Sequence, residues 1–315
     1  MKSLVGYTGF VGSNLVAKGQ FDNLYNSVNI EEAFGTRPEL LVFAGIRAEK
    51  YLANHEPEKD YELIKEAYEN IVRISPQKLV LISTIDVYKT PDDVSEDFPI
   101  ETKELHPYGL NRYLFEQMID DSGLDYTIIR LPGLYGKNLK KNFIYDLINI
   151  IPSVLIEQKL NELCNIDDFA KSYYINQMNG FYKLKSITDS ERVKLKKFFN
   201  SAGFSALNFT DSRGLYQFYN LEYLWDHIKI TLENKIKVLN LATEPVAVSE
   251  IYREIKGTDF VNELTQAVPK YNFKTNYAKL FGGKNGYIFS KEFVLNDLKQ
   301  FIASYYEYIN ADLLR

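Results

Sequence analysis

The sequence is poor in the residues that build disulfides and metal sites. Cys164 is the only cysteine among 315 residues, so no disulfide can form within the chain, and we expect a reducing, cytoplasmic compartment. The three histidines, His55, His106 and His227, lie far apart and show no spacing typical of metal ligands. No bound metal is therefore expected.

Two further classes of partner are not expected. The formal net charge is −5, so the chain lacks the overall basic character of nucleic-acid-binding proteins. The apolar stretch 143–156 is interrupted by Asp146 and Asn149, and it is too short to cross a bilayer. We therefore predict neither a nucleic-acid partner nor a membrane association.

Short apolar runs alternate with helical patterns in the first half of the chain. The runs 3–5, 39–44, 78–83 and 126–131 predict buried strands, and 12–18, 57–74 and 108–121 predict helices. A later run, 237–242, adds a strand to the same sheet. Continuously apolar strands that alternate with helices indicate an α/β fold, a Rossmann-type doubly wound parallel sheet covered on both faces.

The remaining sequence predicts a second, smaller region. Residues 138–204 are helical and irregular, with many lysines, asparagines and tyrosines, and 245–315 are mixed. We expect residues 1–137 to form a dinucleotide-binding Rossmann domain to which 205–244 return. Residues 138–204 and 245–315 are expected to form a mixed α/β substrate-binding cap.

A glycine-rich turn follows the first predicted strand and opens a helix. Gly6 permits a tight turn, Gly9 lets a pyrophosphate approach the backbone, and Gly12 allows the helix to pack closely on the sheet. The amides of Phe10, Val11 and Gly12 then lie at the positive end of the helix dipole. The pattern predicts a site for NAD or NADP, the alternative being a turn without a ligand.

The choice between NAD and NADP stays open in the sequence. A second strand is predicted over 23–28, but Asn26 and Ser27 stand where an acidic residue would hold the adenosine ribose. Ala44 and Gly45 end the next strand and are assigned to the same site. Arg47 follows them and can reach a 2′-phosphate.

Hydroxyl, acidic and basic residues lie at the end of the strand predicted at 78–83 and in the first turns of the helix predicted at 108–121. Ser83 and Thr84 end a strand, and Asp86 comes directly after it. Tyr108 lies 24 residues beyond Thr84, at the start of a helix, and Arg112 is four residues further on the same helix face.

With these residues the sequence resembles the extended short-chain dehydrogenase/reductase superfamily, in particular its NAD-dependent epimerase/dehydratase branch, which acts on sugar nucleotides. The matching landmarks are the glycine turn, the segment 83–88, the Tyr-x-x-x-basic helix and the segment 130–136 (RLPGLYG). Segments 213–226 and 239–245 are similar to later parts of the family, whereas 138–206 match it poorly.

The resemblance implies roles for the catalytic candidates. Tyr108 would transfer a proton at a sugar oxygen while hydride moves to or from nicotinamide, and Thr84 would hydrogen-bond the reacting oxygen. A tyrosine has an ordinary pKa of about 10, so it needs a nearby cation at neutral pH. The family has lysine where this chain has Arg112, whose planar fork is not equivalent to an ammonium. Ser83 and Pro132 would lie beside the cofactor.

Three reactions or roles compete within this resemblance. In the 4,6-dehydratases, Asp and Glu follow the hydroxyl residue, but Ile85 and Asp86 occupy those positions here, and elimination needs both an acid and a base. This disfavours dehydration and favours epimerisation or carbonyl reduction. The presence of Arg112 keeps open a non-catalytic NAD(P)-binding sensor or assembly protein.

Candidate substrate-binding residues lie in the second half of the chain. Lys140, Lys141 and Asn142 precede an amphipathic helix and would cradle a diphosphate, unless they form a solvated loop. Arg213 falls where the family places an arginine on the nucleotide diphosphate. Gln217 would point into the same cleft from a strand.

The resemblance also implies partners. We expect a nucleotide-sugar substrate, a role in polysaccharide biosynthesis, and a homodimer that pairs through the helices predicted at 57–74 and 108–121.

Overall fold

The computed structural model describes residues 1–178 and 180–313. The strands are β1 (Lys2–Val5), β2 (Asn23–Tyr25), β3 (Leu40–Phe43), β4 (Leu79–Thr84), β5 (Tyr126–Leu131), β6 (Gly133–Tyr135), β7 (Val154–Ile156), β8 (Tyr174–Asn176), β9 (Phe181–Leu184), β10 (Leu215–Tyr216), β11 (Phe218–Asn220), β12 (Val238–Asn240) and β13 (Val246–Ala247). The α-helices are α1 (Phe10–Lys18), α2 (Lys50–His55), α3 (Pro57–Ile74), α4 (Pro107–Asp121), α5 (Phe143–Asn149), α6 (Glu157–Cys164), α7 (Asp189–Ser201), α8 (Leu224–Glu233), α9 (Val248–Lys256) and α10 (Lys291–Leu313). Over the described residues, no helix combines the length and the apolarity needed to span a membrane.

The chain divides into two compact units. The first contains residues 1–139, 215–246 and 269–297, and the second contains 140–214, 247–268 and 298–315. The sequence predicts 269–297 as part of the cap, but this segment belongs to the first unit and hydrogen-bonds along it. The amide of Asn272 donates to the carbonyl of Pro91, and the amide of Ile288 donates to that of Ala242.

The first unit is built on a six-stranded sheet in the order β12-β5-β4-β3-β1-β2, whose paired strands all run parallel. Successive residues of each strand point to opposite faces, and both faces are buried. Val42 and Val80 belong to one apolar cluster with residues of α1 and α8. Leu41 and Leu79 belong to another with residues of α3 and α4. The doubly wound, Rossmann-type parallel sheet expected from the sequence is confirmed.

Helix α3 covers one face of this sheet with a row of apolar side chains. Its apolar residues Ile64, Ile71 and Ile74 recur at helical spacing and are fully buried. Each buried side chain of this kind contributes about 1.5–3 kcal/mol relative to an exposed one. The helix begins with Pro57, at a position where the amide hydrogen that proline lacks would have no partner within the helix. The helix ends at Ile74 and is capped by Ser75 in the left-handed conformation.

The second predicted strand is shorter than expected. The sequence analysis placed it over 23–28, whereas β2 ends at Tyr25. The side chain of Asn26 accepts a hydrogen bond from the amide of Val28, and that of Asn29 accepts one from the amide of Asn26. These local side-chain bonds form a turn and end the strand.

The second unit contains a small antiparallel sheet and several helices. Its strands are ordered β7-β9-β8. Leu160 and Leu163 of α6 pack with Leu195 and Phe199 of α7 in one buried cluster. Helix α7 begins with a capping box in which Thr188 and Glu191 satisfy each other's backbone amides.

Candidate active site

The carboxyl edge of the parallel sheet collects most of the predicted site residues of the first unit. The chain passes from β1 to β2 on one side and to β3 on the other, so the strand order reverses at β1. Open α/β sheets bind ligands at such a switch point. The residues that follow or end the strands at this edge are Gly6, Asn26, Ser27, Ala44, Gly45, Ser83, Thr84 and Pro132.

The glycine turn has the geometry of a dinucleotide site. Gly6 has a φ of +90°, and a Cβ built on it would lie 2.3 Å from the carbonyl oxygen of Ala44. A Cβ on Gly12 would lie 2.1 Å from the carbonyl oxygen of Gly6. Larger residues at either position would therefore force the strand, the turn and the helix apart.

Helix α1 leaves its N-terminus available to a phosphate. Its N-cap is Gly9, which has no side chain to bond the first-turn amides. Those amides, from Phe10, Val11 and Gly12, have no carbonyl partner within the helix and carry the positive end of its dipole. The side chains of Phe10 and Val11 pack on the apolar cluster, so their backbone groups are what they offer a ligand. The turn fits a dinucleotide pyrophosphate.

The residues predicted to bind the adenosine differ in how far they are used within the protein. The Asn26 side chain is used in the turn after β2, and the amide of Ala44 donates to the carbonyl of Val5. Gly45 and the side chain of Arg47 are exposed at this edge. No carboxylate occupies positions 26 or 27, so the geometry does not favour NAD over NADP.

Thr84 and Tyr108 are brought together. Thr84 ends β4 and Tyr108 lies in the first turn of α4, where the Thr84 hydroxyl interacts with the Tyr108 phenol. Burial, which leaves Tyr108 only 6% exposed, raises its pKa above 10. The Arg112 guanidinium, the Thr84 hydroxyl and the Lys50 ammonium act in the opposite direction, while Asp86 adds to the rise. Tyr108 is therefore a protonated phenol at neutral pH.

Arg112 lies against Tyr108 but is committed to other partners. Its guanidinium donates one hydrogen bond to each carboxylate oxygen of Asp60, at 2.9 and 3.0 Å. A third bond, of 3.0 Å, goes to the carbonyl oxygen of Arg47. The guanidinium carbon stacks 4.6 Å from the centre of the Tyr108 ring. Arg112 therefore links α4 to α3, and the planar face of its charged guanidinium lies over the Tyr108 ring.

Asp86 forms an ion pair that the sequence analysis did not foresee. Its Oδ1 accepts a 2.8 Å hydrogen bond from the Lys50 ammonium and a 3.3 Å bond from the Tyr271 hydroxyl. The backbone amide of Asp86 donates to the Thr84 hydroxyl at 3.2 Å. Lys50 begins α2, a short helix absent from the sequence analysis, and no residue spacing links it to Thr84 or Tyr108.

His106 caps the helix that carries Tyr108. Its Nδ1 accepts a hydrogen bond from the amide of Gly109, and its ring stacks 6.3 Å from that of Tyr108. Burial and the Lys50 ammonium lower the pKa of His106, and Asp86 opposes them. His106 therefore positions Tyr108 as a neutral capping residue.

Ser83 belongs to a buried polar network beneath the site. Its hydroxyl donates to Glu116 at 2.5 Å, and Glu116 also pairs with Arg130. Arg130 donates in turn to the hydroxyl of Tyr88. All of these side chains are nearly fully buried. The Ser83 hydroxyl hydrogen is therefore used within the protein, although Ser83 was predicted to contact the cofactor.

The residues predicted to bind substrate fall in both units. Gln217, in the first unit, is buried, and its amide nitrogen donates to the carbonyls of Thr243 and Phe273. Its amide oxygen accepts from the amide of Phe273. Both of its amide hydrogens are thus used by the backbone, which leaves none for a substrate.

In the second unit, Lys140 and Lys141 are exposed before α5, and Asn142 caps that helix by accepting from the amide of Tyr145. Arg213 is half-exposed and makes two bonds to the carboxylate of Asp211.

Arg213 also bonds to Glu263 and to the carbonyl of Leu264. These bonds to Arg213 hold the pKa of Asp211 well below its usual range and raise that of Arg213. A diphosphate would have to compete with two carboxylates for this guanidinium.

Comparisons with known proteins extend the fold assignment. No protein-family model and no curated protein matches the sequence. Among solved structures, dTDP-4-dehydrorhamnose reductase from Bacillus anthracis, in complex with NADP, is 16% identical with a TM-score of 0.61, over 96% of this chain and 98% of that one. UDP-glucose 4-epimerase from Thermotoga maritima, with UDP-glucose, is also 16% identical with a TM-score of 0.61, over 98% and 100%. The enzyme WbmG from Bordetella bronchiseptica, in complex with NAD and UDP, is 13% identical with a TM-score of 0.59, over 90% and 88%. Over nearly its whole length, the chain therefore has the fold of these three proteins.

Proposed function

We propose that this protein is an NAD(P)-dependent enzyme that epimerises or reduces a nucleotide-linked sugar. The observation that carries the proposal is the placement of the Thr84 hydroxyl beside the buried Tyr108 phenol at the same sheet edge as the glycine turn. A binding module has no use for two hydroxyl groups held together at this place. The solved structures of the same fold, with NADP, with UDP-glucose, and with NAD and UDP, support the cofactor and the substrate class.

The two hydroxyls divide the chemistry between them. In a reduction, Tyr108 gives its phenolic proton to the substrate carbonyl oxygen, and Thr84 orients that oxygen by a hydrogen bond. A bound reduced nicotinamide would supply hydride to the carbonyl carbon. In an epimerisation, Tyr108 must start as the phenolate, which accepts the proton of a sugar hydroxyl and later returns it. A bound oxidised nicotinamide would take up the hydride of the same carbon and give it back, so no net oxidation would occur.

The charged residues near the hydroxyl pair have further proposed roles. Asp86 is paired with Lys50 and lies beside Thr84, and its negative charge helps to keep the Tyr108 phenol protonated. In the second unit, Lys140, Lys141 and Arg213 are the cations proposed for the nucleotide diphosphate. Because Arg213 already pairs with two carboxylates, we give it the lesser share of that binding.

A second role is favoured by one observation. Arg112 uses three of its five N–H donors on Asp60 and the Arg47 carbonyl, and its side chain is only 5% exposed, so it is poorly placed to bond a cofactor. A protein that binds NAD(P) as a sensor or an assembly partner would tolerate this loss. The two roles differ in turnover, which only the enzyme shows.

Native mass spectrometry of the purified protein, followed by denaturation, tests the cofactor first. A retained NAD indicates an epimerase, in which hydride returns to the same substrate. No retained cofactor, with binding of added NADPH, indicates a reductase that exchanges it. Absence of binding of either dinucleotide refutes the proposal.

Turnover is then measured with defined substrates. UDP-glucose is incubated with the protein and NAD, and the sugar product is identified by chromatography. A dTDP-linked 4-keto-6-deoxysugar is incubated with NADPH, and loss of absorbance at ~340 nm is followed. Tyr108→Phe is the matched control, because it removes only one hydroxyl. Dinucleotide binding with no turnover by the wild type on any nucleotide sugar would favour the sensor.

We also propose a homodimer that pairs through α3 and α4. Leu63 and Val72 of α3 are 50% and 48% exposed, although both are large and apolar. Light scattering at micromolar concentration should give twice the mass of the 36.5 kDa chain. A monomer mass would exclude this interface.

A further inference from the structure

The second unit contains a cavity of about 520 Å³, the size of a small-molecule site. All of its lining residues lie between Asp146 and Phe209, so the cavity belongs to this unit alone. Most of the lining is apolar, and its polar side chains are those of Asp146, Ser153 and Lys159. None of the residues proposed above for the cofactor or the nucleotide diphosphate lines it.

Three aromatic rings form part of the cavity wall, those of Phe181, Phe204 and Phe209. The rings of Phe204 and Phe209 are almost perpendicular, at 88°, and their centres are 5.6 Å apart. Two perpendicular rings can both turn a π-face toward one cation, as the aromatic cages that hold alkylated ammonium groups do. Phe209 is 56% exposed although it is large and apolar, so a ligand can reach its ring from solvent.

An ammonium of the chain itself already lies against one of these rings. Lys159 Nζ is 4.3 Å from the centre of the Phe204 ring. The same ammonium pairs with the carboxylate of Glu162 at 3.0 Å, and Glu162 does not line the cavity. The Phe204 ring therefore attracts a cation in the free protein, and the charge of that cation is balanced from outside the cavity.

Asp146 is the charged group of the cavity that lacks a partner. Within residues 1–178 and 180–313, its carboxyl group makes no hydrogen bond or ion pair, and burial alone raises its pKa to about 7. An unpaired carboxylate in an apolar wall is costly. A bound cation would offset this cost, whereas a bound anion would add to it.

We propose that this cavity binds an organic cation, an alkylated ammonium group on an apolar body. Phe204 and Phe209 present π-faces to the cation, and Asp146 supplies the counter-charge. Phe181 and the other apolar lining residues contact the body of the ligand, since the cavity is larger than an ammonium group alone. The inference does not depend on the proposed reaction, because its test needs neither a dinucleotide nor a sugar.

Two probes of the same shape test whether the cavity selects a positive charge. Phenyltrimethylammonium and its uncharged isostere tert-butylbenzene are titrated against the full chain, and binding is followed by saturation-transfer NMR. The titration is run at pH 8, where Asp146 is mostly ionised. We expect the cation to bind at least about tenfold more tightly. Equal affinity, or no binding of the cation, would overturn the proposal.

The two charged side chains of the cavity give predictions of opposite sign. Asp146→Asn should weaken binding of phenyltrimethylammonium about tenfold, because the counter-charge is lost, and leave binding of tert-butylbenzene unchanged. Lys159→Met should strengthen binding of the cation, because it removes a competing ammonium from the Phe204 ring. Stronger binding in Asp146→Asn and weaker binding in Lys159→Met would refute a cation site.

A substitution of one ring separates the π-face from simple apolar contact. Phe204→Leu keeps an apolar side chain, so it should weaken binding of the cation about fivefold and change that of tert-butylbenzene little. Circular dichroism checks that each variant is folded.

Matched controls come from the same unit but lie outside the cavity. Phe260 stacks on Tyr252 with ring centres 4.9 Å apart, and Asp168 is an exposed carboxylate. Neither residue lines the cavity. Phe260→Leu and Asp168→Asn should leave the affinity for phenyltrimethylammonium unchanged. If they weaken it as much as Phe204→Leu and Asp146→Asn do, the cavity is not the binding site and the proposal is wrong.

Discussion

Replacing Arg112 by Met tests whether this residue stabilises the fold. The side chains of Arg112 and Asp60 are 5% and 11% exposed, so the carboxylate of Asp60 would lose its counter-charge in a dry environment. Asn111 would remain as its hydrogen-bond donor, at 2.9 Å. Breaking a buried ion pair by removing one partner costs about 3–5 kcal/mol. For a domain of this size, each kcal/mol lowers Tm by about 2–4 °C, so Arg112→Met should lower it by about 10 °C.

The assay is thermal unfolding followed by circular dichroism, with the first-unit transition identified by calorimetry. The control is Arg253→Met, because Arg253 pairs with Asp259 on the surface, where both side chains are more than half exposed. Such pairs contribute about 0–1 kcal/mol. The double variant Arg112→Met/Asp60→Leu should recover part of the loss, because it removes both charges. A Tm for Arg112→Met equal to that of the Arg253 control would refute the reasoning.

Three further predictions concern the phenol, the glycine turn and a buried carboxyl. Tyr108→Phe should lower kcat by about 10²–10⁴-fold while NADPH binding, measured by fluorescence titration, stays intact; unchanged turnover would remove Tyr108 from the chemistry. Gly12→Ala places a Cβ 2.1 Å from the Gly6 carbonyl oxygen, so calorimetric titration should show at least about tenfold weaker dinucleotide binding, and equal affinity would argue against the pyrophosphate site. Burial raises the pKa of Asp146 to about 7, so the folded state keeps a proton that the unfolded state loses from about pH 4 upward. Stability from this group should therefore fall between about pH 4 and 7. Asp146→Asn should then match the wild-type Tm near pH 4 and exceed it at pH 8, and the same difference at both pH values would contradict this.

The sheet could be predicted because its strands are buried on both faces. The runs 39–44 and 78–83 contain the uninterrupted apolar stretches 40–44 and 79–82, and a parallel sheet covered by helices explains that pattern. Helix α3 was predictable from its periodicity. The end of β2 was not, because the side chains of Asn26 and Asn29 form a local turn that ends the strand before Val28.

The segment 269–297 shows a different limit. Its attachment to the first unit rests on hydrogen bonds to residues far away in sequence, such as Asn272 to Pro91 and Thr275 to Glu96. Neither end of such a bond has a local signature. The sequence pattern therefore left the segment with the residues that precede it.

In the site, spacing located backbone positions better than it assigned side-chain partners. The glycines, Thr84 and Tyr108 lie where the chain turns at the sheet edge, which is where their spacing in the sequence predicts them. Gln217 and Ser83 were placed near the site by the same logic, but their polar groups bond within the protein. Residue type states which bonds a side chain can make, and only the three-dimensional neighbours decide which it does make.

This distinction leads to a last prediction, on Arg112→Lys. If the site were an enzyme degraded by losing a lysine, restoring it should increase turnover. The structure argues otherwise, because a lysine at 112 would face the buried Asp60 carboxylate and pair with it, 52 residues away in sequence. Lysine would also lose the bond to the Arg47 carbonyl and the flat contact with the Tyr108 ring.

We therefore expect Arg112→Lys to lower both Tm and kcat, with the loss in kcat persisting at temperatures well below the transition. The measurement is kcat on the substrate found for the wild type. A kcat for Arg112→Lys equal to or above that of the wild type would contradict this reasoning and would mean that a lysine at position 112 is what the site lacked.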